Sequence, residues 1–175
     1  KIPDGSGHTL FVGETSNAAG GMGWASGTNS TLRNGAILIN VNLSHARFAN
    51  ANLSRVIMQG GDLSGADLSG ANISEAKFTG TNLSGMNASG VEGNNSIFAE
   101  CKGKKTDFSG AKLKDCVFTS LDLSESRWSK AHLKKTALIA CDLSGADFSG
   151  VDLSTTSLTG VRGVYLAACP AALPP

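Results

Sequence analysis

Ala66-Asp-Leu-Ser-Gly70 runs directly into Ala71-Asn-Ile-Ser-Glu75, and the two segments write one five-residue pattern twice. A small residue comes first, then Asp or Asn, then a large apolar residue, then Ser or Thr, then Gly or a polar residue. Ala51-Asn-Leu-Ser-Arg55 follows the same pattern upstream, and Ala146-Asp-Phe-Ser-Gly150 follows it downstream. Working outward, the frame holds from Ala36 to Tyr165 without an insertion or deletion, giving 26 consecutive units and 130 of 175 residues. Self-similarity at a fixed period is the mark of a solenoid, in which each unit buries its apolar face only against its neighbours.

The third, central position is large and apolar in 22 of the 26 units. The first position is mostly Ala, Val, Ser, Thr or Cys. A period of five fits neither an α-helix nor a flat strand. It fits a coil in which every unit makes one short side and one corner. First and central residues then point inward, and the other three point outward.

This pattern resembles the pentapeptide-repeat family over about three quarters of the chain. The resemblance implies an all-β fold, a right-handed quadrilateral parallel β-helix. Four units make one square coil, so position n stacks on n+20 and the repeats make about six and a half coils. With stacked strands ~4.8 Å apart, the rod would be roughly 30 Å long. Segment 36–165 is then the β-helix, 1–35 a Gly-rich N-terminal cap, and 166–175 a C-terminal cap or tail.

Stacking by 20 sorts the central residues into four columns. Phe and Trp gather in two of them, at Phe78, Phe98 and Phe118 and at Phe48, Phe108, Trp128 and Phe148. These columns face each other across the square, and Leu dominates the other two. Ala88, Gly93 and Gly103 are small central residues near mid-rod, while Met86, Val91 and Cys101 are bulkier than usual at first positions. The exchange limits voids, yet this coil is expected to be the least well packed. Cys101, Cys116 and Cys141 all hold the small inward position, where thiols serve as small buried hydrophobes. Cys101 and Cys141 lie two coils apart, too far for a disulfide.

The termini leave the repeat. Gly5, Gly7, Gly13, Gly20, Gly21, Gly23 and Gly27 break residues 1–35 into turns, His8-Thr-Leu-Phe-Val12 is a strand candidate, and Met22 and Trp24 add apolar bulk. Such a segment is expected to cover the first coil, whose backbone would otherwise be an open edge. Tyr165 to Ala168 would lie over the last coil, and Pro170, Pro174 and Pro175 stop further coiling. Cys169, beyond the repeats, is expected to be unpaired. The resemblance adds two expectations, dimerisation through the C-terminal end and export. Export is suggested by the closing Cys169-Pro-Ala-Ala-Leu-Pro phrase and by a chain that opens on Lys1 rather than Met.

The outer surface narrows the function. Fifteen basic residues against fourteen acidic ones give a formal net charge of +1, which suits neither a general polyanion binder nor an acidic nucleic-acid mimic. The Ser residues occupy corner positions, and none has a His and an Asp arranged beside it as a hydrolytic triad needs. His8, His45 and His132 fall far apart along the rod, so no catalytic, cofactor-binding or metal residues are assigned and no cofactor is expected. Two surface features stand out. Ile37, Ile39, Ile57, Ile97, Val117 and Ile139 form an apolar stripe on one outer face, interrupted by Lys77. Exposed apolar patches signal contact with something, whether residues 1–35, a second copy or another protein. Lys102, Lys104, Lys105, Lys112, Lys114, Lys134 and Lys135 form a basic patch between the fourth and fifth coils, diluted by Asp115, Asp122 and Glu125. It is a solvated face or a site for an acidic partner; it lacks outward aromatics for stacking bases.

These features favour a non-enzymatic, structural protein-interaction solenoid. Its expected partner is a protein or a second copy of the chain, not nucleic acid, and no apolar run is long enough for a membrane span. Two alternatives rank lower. The resemblance raises a DNA-mimic-type topoisomerase-interacting protein, which the net charge disfavours. A surface- or ice-binding array would use the Ser/Thr columns, which lysines interrupt on two faces.

Overall fold

The computed structural model describes residues 35–163. The expectations placed on 1–34 and 164–175 fall outside the described residues: the strand at His8–Val12, the two caps and the state of Cys169. Seven three-residue strands follow one another at intervals of 20: β1 (Ile37–Ile39), β2 (Ile57–Gln59), β3 (Lys77–Thr79), β4 (Ile97–Ala99), β5 (Val117–Thr119), β6 (Ala137–Ile139) and β7 (Ser157–Thr159). They stack in chain order as one parallel sheet, each strand directly over the last, with Leu38 on Met58, Met58 on Phe78 and Phe78 on Phe98. This sheet is face one. The other three sides are single-residue parallel bridges with the same offset, exemplified by Asp62↔Asn82, Asp67↔Asn87 and Asn72↔Glu92. Four ladders per coil give the square solenoid of about six turns, with no helix among the described residues.

Each position in the unit has a physical reason. At the second position, the Asp or Asn Oδ1 accepts the N–H of the fourth residue two places on, as Asp67 does from Ser69 at 3.0 Å and Asn72 from Ser74 at 3.0 Å. These Asx turns shape the corners. At the fifth position the backbone is left-handed: every described fifth residue except Thr155 has positive φ, from Asn40 at 52° to Gly145 and Gly150 at 70°. On faces two to four the corner closes with a β-turn bond such as Ala66 N–H to the Leu63 carbonyl, 3.0 Å, for which a positive φ at the third turn residue is the type II requirement. Gly, Asn and Asp supply that conformation at least cost.

The interior is a continuous apolar core. The two aromatic columns meet across it as the spacing predicts. Phe78, Phe98 and Phe118 stack at centroid separations of 4.9 and 4.5 Å. Phe108, Trp128 and Phe148 stack opposite at 4.4 and 5.7 Å. Edge-to-face contacts join the columns, with Phe118 to Trp128 at 5.4 Å, the geometry the ring quadrupoles favour. Burying each large side chain stabilises the fold by roughly 1.5–3 kcal/mol.

First positions do more than stay small. Their hydroxyls and thiols donate to the central carbonyl 23 residues back: Ser96 to Ile73 at 2.7 Å, Thr106 to Leu83 at 2.9 Å and Thr156 to Leu133 at 3.0 Å. Among the described residues, no buried side-chain nitrogen or oxygen lacks a partner, as a core of this polarity requires. Cys101 and Cys141 make the same contact with Phe78 and Phe118, and Cys116 with Gly93. All three are free and buried. Burial pushes the Cys116 thiol up to about 11.

The expectation of a loosely packed middle coil needs correcting. A Cβ added at Gly93 would lie 2.7 Å from Leu113 Cδ2 and 3.0 Å from Ile73 Cγ1. One added at Gly103 would lie 2.8 Å from Leu123 Cδ2. Side chains from adjacent coils already occupy the space that the small residues leave.

Candidate functional site

The residues of the apolar stripe lie on face one and are unevenly exposed. Its second-position row runs Ile37, Ile57, Lys77, Ile97, Val117 and Ala137, in strand register. Ile39 and Ile139 belong to the parallel fourth-position row, where Gln59, Thr79, Ala99 and Thr119 separate them. Lys77 therefore divides the stripe into two patches. Ile37, Ile39 and Ile57 make one, and Ile97, Val117, Ala137 and Ile139 make the other. Ile37 and Ile39 are 61% and 60% exposed, Ile97 and Ile139 are each 37% exposed, and these four are the exposed large hydrophobics among the described residues. Ile57 and Val117 are half-buried.

The basic patch also divides. Lys104 and Lys105 both reach Glu125, at 3.0 and 3.4 Å. Lys112 pairs with Glu92 at 2.9 Å and Lys114 with Asp115 at 3.5 Å. The lysine pair, Lys104 foremost, holds the Glu125 carboxyl below the usual carboxylate range. Lys102, Lys134 and Lys135 have no ion pair among the described residues, and neither has the neighbouring Lys130. Exposed pairs of this kind stabilise little, but they decide where unbalanced charge remains.

One feature escaped the sequence reading. Between the fifth and sixth coils, face four comes apart. The bridge column ends at Lys112↔His132. Elsewhere on this face, central N–H groups bond the second-position carbonyl of the next coil, as Leu113 does to His132 at 2.9 Å. The equivalent bond from Leu133 to Asp152 is absent, as is that from Asp152 N–H to the Ala131 carbonyl. Lys135 N–H turns to the Thr155 hydroxyl at 3.2 Å. A cleft of about 560 Å³ opens here, lined by Lys130, Ala131, His132, Leu133, Lys134, Gly150, Asp152 and Thr155. The cause is Thr155, the one β-branched residue at a fifth position. A branched Cβ is strongly disfavoured in the left-handed region, so this corner takes another conformation and its ladder rungs are lost. That single letter was the available signal.

No group of three or more His, Cys, Asp or Glu able to hold a metal occurs among the described residues. No helix there is long and apolar enough to cross a membrane.

With this geometry in view, comparison with known proteins is direct. Pentapeptide repeats, in eight copies, match at residues 36–74 and 46–85, and a pentapeptide repeat region matches at 78–148. The chain belongs to the pentapeptide-repeat family. No curated protein matches it. Among solved structures, trypsin-treated QnrB1, a plasmid-mediated fluoroquinolone resistance protein, is 20% identical, with 72% of each chain covered and a TM-score of 0.43. HetL, a pentapeptide repeat protein involved in heterocyst differentiation regulation from the cyanobacterium Nostoc sp. strain PCC 7120, is 20% identical over 74% of this chain and 83% of its own, with a TM-score of 0.27. A pentapeptide repeat protein from the Arabidopsis thaliana thylakoid lumen is 18% identical over 75% of this chain and 77% of its own, with a TM-score of 0.31. Family membership rests on the sequence match.

Proposed function

We propose that this solenoid is a non-enzymatic interaction scaffold whose face one docks a protein partner. The observation that carries the reading is the placement of exposed apolar surface. All four exposed large hydrophobics among the described residues, Ile37, Ile39, Ile97 and Ile139, lie on this one sheet. Faces two to four carry Asp, Asn, Ser and Lys outward, many fixed in Asx turns, and the hydroxyls of Ser44, Ser54, Ser124 and Ser144 donate to the Asx carboxylate or amide oxygen of their own corner. A rigid flat sheet with an apolar strip presents a surface at little ordering cost.

Size refines the picture. From Ile37 to Ile139 the strip crosses five strand spacings, about 24 Å, and is roughly 10 Å wide, so even with the break at Lys77 included it offers about 240 Å², against ~800 Å² per partner in a stable interface. The partner's footprint therefore extends past the strip, across a corner onto a polar neighbouring face. A duplex mimic would need continuous acid instead. The second positions of faces two and three are interrupted by Lys102 and by Arg127, which does not support that alternative.

Paired capture tests the reading. The full chain and an Ile39→Lys, Ile97→Lys variant, matched by circular dichroism, serve as baits in extract from the source organism. A partner bound by the wild type and at least tenfold depleted on the variant is expected. Identical captured sets, or none, would overturn the proposal. Sedimentation of the bait alone reports whether the partner is a second copy.

A further inference from the structure

We propose that the split ladder on face four is a binding site for the phosphate group of a small molecule. The inference is independent of face one. Three observations converge on it. The cleft is built by a break in the fold, at Thr155, rather than by surface roughness. The missing rungs release main-chain donors, the N–H groups of Leu133 and Asp152, which a solenoid otherwise spends on its neighbours. Leu133 is buried, so its main-chain donor needs a partner, and main-chain N–H groups lining a concavity are a recurrent way of holding anions.

Charge supplies the third observation. Lys130 and Lys134 line the cleft and Lys135 adjoins it, and these are lysines without ion pairs among the described residues. Of the other patch lysines, Lys104, Lys105, Lys112 and Lys114 are paired with Glu125, Glu92 or Asp115, and Lys102 stands alone on face two. The break thus gathers three unpaired lysines around one cleft. Asp152 is the single carboxylate on the lining, and its Oδ1 is engaged by Ser154 N–H at 2.9 Å. Gly150 places no side chain at the rim, leaving room for the rest of a small ligand. Two lysines with main-chain N–H donors suit a phosphate, which accepts several hydrogen bonds at once and carries more charge than a carboxylate.

The test is a titration of the isotope-labelled full chain with inorganic phosphate, at constant ionic strength against chloride, followed by amide NMR. Saturable shifts confined to residues 130–135 and 150–155 are expected. Lys130→Gln with Lys134→Gln should weaken binding at least tenfold. Thr155→Gly should let the corner adopt the left-handed turn, protect the Leu133 and Asp152 amides from exchange, and abolish binding although every lysine remains. Asp152→Asn keeps the turn acceptor that Asn72 and Asn82 supply elsewhere, removes the opposing charge, and should tighten binding severalfold. Shifts spread over Lys102 and Lys112, failure to saturate, or undiminished binding in the double lysine variant would overturn the assignment to this cleft.

Discussion

Ser126 shows how much a single first position carries. It is buried, donates to the Leu123 carbonyl at 2.6 Å and accepts the indole N–H of Trp128 at 2.7 Å. Replacing it with alanine fits the space but strands the Trp128 donor in the core. Ser126→Ala should cost about 1–3 kcal/mol in urea unfolding, the penalty for one unsatisfied buried polar group, and an unchanged midpoint would show that the indole has another partner. The five-residue pattern made Ser126 legible as small and inward. It did not make its bonding legible, because the acceptor of the indole lies two residues away along the chain and its geometry depends on the Trp rotamer. Thr155 is the opposite case. Its anomaly stood in the sequence, and its consequence needed the left-handed corners at positions such as Lys130 and Lys135 to be seen.

At the scale of the coil, the register followed from the five-residue frame together with the family resemblance, and packing density did not. Every stacked pair from Leu38↔Met58 to Leu138↔Leu158 follows the offset of 20 that the family resemblance implies. Weighing bulk position by position predicted slack around Gly93 and Gly103. The core instead closes through long side chains from the coils above and below, Ile73, Leu113 and Leu123, which a count within one coil cannot see. Gly93→Ala should therefore destabilise the rod by about 1–3 kcal/mol as an overpacking change. A gain in the unfolding midpoint would reveal a void there after all. The ladder makes the effect local, since each coil contacts only its neighbours.

Over the whole molecule, the rod sorts its surfaces. Among the described residues, polar corners and Asx turns cover faces two to four, the exposed large hydrophobics lie on face one, and three unpaired lysines gather where face four splits. The stripe could be read from the sequence because second positions are outward in every unit. Its division by Lys77 was visible too, but the separation of Ile39 from Ile139 required the strand register. The account's central claim is that face one is where another protein sits. Photo-crosslinking in cells of the source organism tests it directly, with a photoreactive residue placed at Ile97 on face one and, separately, at Asp107 on face three. The account predicts a discrete protein adduct from position 97 and none from position 107. Adducts of equal yield and identity from both positions, or no adduct from position 97, would contradict it.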